Sequence, residues 1–149
     1  MNTARPLKAL GVLLPGGTLL LPGAAAPLPR WPGAYVLLLG FATGFVARHR
    51  TAQRDFAAGW YAYCGSARGR GGVGARIGRH FRKGKAPRWH IDPLSIRAGP
   101  MAALAFSGGD ECSLVATLAG SGRFAFPVSG FGSSDCRICP AHLLRWTGG

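Results

Sequence analysis

The chain is 149 residues long and 48% apolar, enough to bury a core of its own, which excludes a chain disordered throughout. Its 18 Lys and Arg against 5 Asp and Glu give a net charge of +13, which points to a polyanionic partner, either nucleic acid or an anionic membrane surface. No uninterrupted run of about 18 apolar residues occurs, so no spanning helix is expected. Four cysteines in a chain of this size do not make a disulfide scaffold, and reduced thiols in a cytoplasmic protein are the plainer expectation.

The first segment holds Arg5 and Lys8 ahead of LGVLLPGGTLLLPGAAAP. That pattern mimics a signal peptide, but Pro15, Gly16 and Gly17 interrupt its apolar stretch in the middle. Residues 1–30 therefore read as a flexible Pro/Gly/Ala-rich extension with one short strand at 18–21, and the folded domain is expected over 31–149.

Pro32-Gly33 punctuates the chain, and Ala34–Leu39 (AYVLLL) reads as a buried strand. GFVARHRTAQRDF alternates weakly and reads as a polar strand or hairpin at the sheet edge. Gly59 leads into Trp60–Cys64, expected antiparallel to the first strand. The Gly/Arg-rich loop that follows lacks the Gly-Lys-Ser/Thr of a P-loop. Backbone amides beside a helix N-terminus can hold a phosphate, but a flexible connection into a helix is the plainer reading. Val73, Ile77 and Phe81 recur every four residues and predict a helix with that stripe on the sheet. Arg76 and His80 share one face at the edge of the stripe, while Arg79, Arg82 and Lys83 are expected to point outward.

Nine of the 18 basic residues lie in one stretch, namely Arg68, Arg70, Arg76, Arg79, Arg82, Lys83, Lys85, Arg88 and Arg97, with Asp92 as the only acid among them. A charge that served solubility alone would spread more evenly. The stretch therefore reads as a binding face, with Arg68, Arg70, Arg79, Arg82, Lys83, Lys85 and Arg88 as candidate nucleic-acid contacts. A membrane is the weaker alternative, because a helix lying on a membrane needs a broader apolar face than this one has.

Trp89, His90 and Asp92 crowd ahead of Pro93, and the His-x-Asp pair reads most simply as a local hydrogen-bonded pair. Met101–Phe106 is a third strand, and Glu111–Ala119 a second helix with Leu114, Val115 and Leu118 inward. Glu111 falls in that helix's first turn, where the helix dipole alone favours an acid. Cys136, Cys139 and His142, spaced C-x2-C-x2-H, are half of a zinc site at best, and Cys112 is the one other cysteine able to complete it. Buried thiols and a hydrogen-bonded histidine are the preferred reading there. Leu143–Trp146 is expected as a final edge strand. Together these elements predict an α/β domain with a small, mainly antiparallel central sheet flanked by helices.

The stretch Gly59–Phe81, GWYAYCGSARGRGGVGARIGRHF, resembles the GIY-YIG endonucleases. Gly33-Ala34-Tyr35 stands in the place of the first element, Tyr63-Cys64-Gly65 in that of the second, and the helix bearing Arg76 and His80 follows. Glu111-Cys112-Ser113 resembles the superfamily's string at the start of a following helix, while Trp89-His90-Ile91-Asp92 and Gly130 to Cys136 resemble a small branch of it, some members of which are fused to DNA-repair glycosylases. Ala34, Cys64, Pro93 and a long spacer between the tyrosine elements depart from the pattern; Ala34 and Cys64 are expected to affect packing rather than chemistry. The resemblance implies a GIY-YIG-like fold and a Mg²⁺- or Mn²⁺-dependent endonuclease acting on DNA, branched or damaged forms included, with a DNA-repair protein as a further partner. It implies that Glu111 holds the metal and Arg76 stabilises the transition state. Tyr35, supported by Tyr63 or His80, would deprotonate the attacking water, or His80 would do so itself. His90, Asp92 and Asp135 would support these groups from behind. Two rivals are a non-catalytic nucleic-acid-binding module on the same fold and a small zinc-stabilised interaction protein built around Cys136, Cys139 and His142.

Overall fold

A computed structural model of the chain describes residues 1–133 and 136–148. In chain order its elements are helix α1 (Ala4–Leu13), strands β1 (Thr18–Leu20), β2 (Gly33–Phe41), β3 (Phe45–His49), β4 (Ala52–Phe56) and β5 (Gly59–Ala67), helices α2 (Gly72–Phe81) and α3 (Asp92–Arg97), strand β6 (Met101–Ser107), helix α4 (Glu111–Gly120), and strands β7 (Phe124–Ala125) and β8 (Leu143–Trp146). One six-stranded sheet runs in the order β1-β6-β2-β5-β8-β7, and all its described pairings are antiparallel. The fold is thus mixed α/β around a mainly antiparallel sheet.

All nine residues of β2 are buried, which an antiparallel strand achieves only when both faces of its sheet are covered. The pleat divides them. Tyr35, Leu37, Leu39 and Phe41 join a core with Val73 and Ile77 of α2 and Ile91 and Leu94 at α3. Ala34, Val36 and Leu38 join the opposite core with Leu10 and Leu14 at α1 and Leu114, Val115 and Leu118 of α4. This two-sided burial is why the strand reads as an unbroken apolar run. Ala34 and Cys64 are both fully buried in the second core, consistent with their expected packing role.

The structure departs from the sequence reading in four places. Residues 1–30, read as a flexible extension with one short strand at 18–21, carry helix α1 besides that strand, and β1 pairs with β6 from Thr18↔Ala105 to Leu20↔Ala103. Leu10 and Leu14 are buried because they lie four residues apart on one helical face, a pattern that the Pro/Gly-rich surroundings obscure. The spacer between the tyrosine elements is a separate hairpin, β3–β4, rather than an edge of the main sheet. Its Phe45, Ala47 and Phe56 pack on the α2-side core, with Phe45 and Phe56 stacked at 5.0 Å. Residues 92–97 form α3, a helix too short to show periodicity, with Pro93 in its first turn where a missing N–H is harmless. β8 is not the sheet edge, since the two-residue β7 lies outside it. Asp135 lies outside the described residues.

Candidate functional site

The site forms where β2 begins and β5 ends. The two strands are paired Tyr35↔Gly65 and Leu37↔Tyr63, so both tyrosines face the α2 layer. Gly65 is needed for this approach, because a Cβ there would come within 2.5 Å of the Tyr35 hydroxyl. Tyr35, Tyr63, Ser66, Arg76 and Glu111 line a cavity of about 190 Å³, with Gly132, Cys136 and His142 as its far wall. A second cavity of about 350 Å³ adjoins it, sharing Tyr35, Tyr63, Arg76 and Gly132 and adding Arg88, Trp89 and His90. The cleft therefore gathers side chains from β2, β5 and α2 on one side of the sheet and from α4 on the other. His80, though next to it, does not line it.

Tyr35 Oη and His80 Nε2 are 2.7 Å apart. His80 is fully buried, not at the boundary between core and solvent where the helix pattern puts it. The reason is Trp89, which packs edge-on against the imidazole at 5.4 Å and closes that side of α2. Burial drives the His80 pKa down to about 3, so the ring is neutral near pH 7. Burial likewise raises Tyr35 well above its usual value and Tyr63 to about 12, with the nearby Arg76 guanidinium opposing the rise in both. His80 has no exposed surface and is absent from the cleft lining, so its contact with the cleft runs through Tyr35. Tyr63 meets His80 only ring to ring, at 6.0 Å.

The basic stretch divides into structural and free cations. Arg79 does not point outward: it pairs with Asp92 at 2.5 Å and stacks on Trp89 at 4.6 Å. Burial alone would raise the Asp92 pKa, but the backbone N–H groups of Trp89 and Arg88 and the Arg79 guanidinium hold it below the usual carboxylate value. Asp92 thus bonds to Arg79 rather than to His90, which is exposed, and the expected His-x-Asp pair does not form. Lys83 donates to the carbonyls of Ser95 and Ala98 at the end of α3, and Lys85 to those of His80 and Arg82 at the end of α2. Both lysines satisfy helix C-termini. Arg68, Arg70, Arg76, Arg82 and Arg88 are exposed, with Arg76 also lying over Trp89 at 5.1 Å. The amides that open α2 are occupied, Val73 donating to Trp31 and Gly74 to Pro29, so the helix start holds no phosphate.

At the start of α4, Asp110 caps the helix by accepting from the Cys112 amide and the Ser113 hydroxyl. Its neighbour Glu111 is left uncommitted: Oε2 is buried and has no hydrogen-bond partner among the described residues. One residue further on, Cys112 meets Cys136, Cys139 and His142, with ligand atoms from all four within 4.8 Å of one another. The cysteines are half-buried rather than buried, and His142 Nε2 has no hydrogen-bond partner among the described residues, contrary to the expectation of buried thiols and a bonded imidazole. The C-x2-C-x2-H spacing groups Cys136, Cys139 and His142 in sequence and leaves Cys112 as the one cysteine able to join them, but only the fold brings the first turn of α4 beside the loop before β8. The contributions of Trp89 to Arg76 and His80, and of the buried His49 stacked on Phe131 at 4.7 Å, have no local signal.

Residues 34–148 match the family described as Domain of unknown function DUF123. The chain belongs to that family. Neither a curated protein nor a solved structure matches it. The DUF123 match takes in the whole cleft from Tyr35 to His142, while α1 and β1 lie outside it. Among the described residues of this DUF123 chain no helix is long and apolar enough to cross a membrane.

Proposed function

We propose that this protein is a divalent-metal-dependent endonuclease of GIY-YIG type that hydrolyses DNA phosphodiesters. One observation carries the reading: a single cleft joins the Tyr35–His80 pair, the exposed Arg76 and the unpartnered Glu111 carboxylate. A phosphodiester needs those three kinds of group, a proton acceptor for the attacking water, a cation facing the phosphoryl oxygens, and an anchor for a metal.

Glu111 suits a hard cation because its buried Oε2 is free of other partners among the described residues, whereas Asp110 and Asp92 are committed elsewhere. Mg²⁺ or Mn²⁺ held there, with water and phosphate oxygens completing its shell, would neutralise charge on the phosphate and leaving oxygen. With the proton of the neutral ring on Nδ1, Tyr35 would donate its hydroxyl proton to His80 Nε2, 2.7 Å away, and present an oxygen lone pair to the cleft. As the attacking water loses a proton to Tyr35 Oη, the phenolic proton passes to His80 Nε2, and the tyrosine stays neutral throughout. That route avoids a free phenolate, but it leaves the proton on His80, whose burial opposes a lasting charge just as that of Tyr35 does, so the two transfers would have to run together with attack on phosphorus. Arg76 faces the developing negative charge. The exposed Arg68, Arg70, Arg82 and Arg88 would hold the flanking backbone. Free thiols suit a reducing compartment such as the cytoplasm, and the resemblance to glycosylase-fused relatives suits a DNA-repair partner.

The test is cleavage of duplex, nicked, flapped and four-way DNA with Mg²⁺ or Mn²⁺. Tyr35→Phe, Arg76→Ala and Glu111→Ala should each fold, bind DNA and cleave at least about 10²–10³ times more slowly. Cleavage at the wild-type rate in all three variants would sink these assignments. A wild-type protein that binds these substrates and cuts none of them would be a non-catalytic binding module.

A further inference from the structure

We infer that Cys112, Cys136, Cys139 and His142 form a closed zinc site that clamps the loop before β8 to the first turn of α4. The ligand atoms all lie within 4.8 Å of one another, and Cys112 Sγ and Cys136 Sγ are 3.4 Å apart. Around a tetrahedral zinc with bonds of about 2.0–2.3 Å, ligands are separated by roughly 3.3–3.8 Å. The cluster therefore needs only a small contraction to close on one ion.

Three further features suit the site. The Cys139 amide donates to Cys136 Sγ at 3.4 Å, a bond that strengthens when the sulfur is a thiolate. Its imidazole is positioned before any metal arrives: the His142 amide donates to Phe131 and its carbonyl accepts from Cys64, which fixes the residue at the mouth of β8. Finally, residues 126–142 contain no described helix or strand, although they join two adjacent strands. Val128, Phe131 and Ala141 anchor the ends of this segment in the core, but Ile138, between the two cysteines, is 85% exposed and adds no burial to the turn that carries them. A long irregular loop of this kind gains order from a cross-link.

The donor set decides the metal. Three thiolates and an imidazole select zinc over magnesium, and four protein ligands leave no open position for substrate or water. The site is thus structural and distinct from Glu111, but it fixes the neighbouring residue Cys112 and the wall formed by Cys136 and His142. Binding releases the thiol protons to solvent and involves no change of oxidation state.

The experiment is elemental analysis of the reduced, purified protein, with cobalt titration of the zinc-free form and a thermal melt. About one zinc per chain is expected, absent from Cys112→Ser and Cys139→Ser, with sulfur-to-cobalt charge-transfer bands on cobalt addition. Chelator should lower the Tm by at least about 5 °C. A reduced wild-type protein that takes up neither zinc nor cobalt overturns the inference, as does an intact mass showing two hydrogens lost to a disulfide in place of metal. If a serine variant fails to fold, the cobalt spectrum of the wild type decides alone. All readings are made without DNA and without added Mg²⁺, so they stand or fall separately from the nuclease reading.

Discussion

Tyr35 and His80 show how burial sets chemistry at a single bond. The 2.7 Å contact joins Tyr35 to a fully buried ring, and the His80 pKa of about 3 keeps that ring neutral. This has a consequence for stability. The unfolded chain binds a proton on this histidine near pH 6.5, while the folded chain does not until about pH 3. Stability from His80 is therefore present above about pH 6.5 and falls as the pH is lowered from there towards 3, at up to about 1.4 kcal/mol per pH unit. His49, also lowered chiefly by burial, adds in the same direction. Denaturant titrations from pH 7 to 4 should show the decline, and His80→Gln should flatten it. A wild-type stability that stays constant over that range would mean that His80 is not buried neutral. The cleavage rate, by the same reasoning, should show no limb from His80 near pH 6.5.

The elements explain how much was readable in advance. β2 and α2 were legible because β2 is apolar throughout and Val73 and Ile77 recur at helical spacing; both are fully buried. The α4 start was legible in Glu111 ahead of Leu114, Val115 and Leu118, whereas the Asp110 cap emerged only with the structure. What local pattern could not show was how one element uses the charges of another. Arg79, Lys83 and Lys85 look like a solvated basic face in sequence, yet each bonds to a carboxylate or carbonyl of the folded chain. Asp92 is the keystone, accepting at Oδ2 from Arg79 and from the Arg88 and Trp89 amides. Asp92→Asn removes the charge opposite Arg79 at nearly constant volume, and loss of one partner of such a pair costs about 3–5 kcal/mol. The expected Tm decrease is about 10 °C, read by calorimetry. Because the Asp92 pKa is depressed, its contribution is present above about pH 3.9 and lost only as the pH falls through the lower folded value. The variant should therefore keep the histidine-driven decline between pH 6.5 and 4. A melt within about 2 °C of wild type would show that the Arg79–Asp92 pair does not hold α2 to α3.

For the whole molecule the question is whether a net charge of +13 acts as a general attraction or through one face. The fold separates two groups of cations that composition cannot distinguish. Arg68 and Arg70 lie in the loop between β5 and α2, and Arg88 lines the larger part of the cleft. Arg5, Lys8 and Arg123 line a different cavity beside α1, in the layer that covers the opposite face of the sheet. All six are exposed, and each trio carries the same charge. Replacing either trio with glutamine therefore changes the net charge equally and only the position differs. If phosphates lie along the cleft, the Arg68/Arg70/Arg88 variant loses up to three backbone contacts, and the slope of log K against log salt should fall by about 2–3. Its affinity should drop most at low salt, where released counterions contribute most. The Arg5/Lys8/Arg123 variant should keep nearly the wild-type slope and lose only the weak long-range attraction, which screening removes beyond about 8–10 Å at physiological salt. Fluorescence anisotropy of a short duplex across a salt series measures both. Equal losses from the two trios would mean that DNA is held by net charge alone, and the cleft would lose its claim to the substrate.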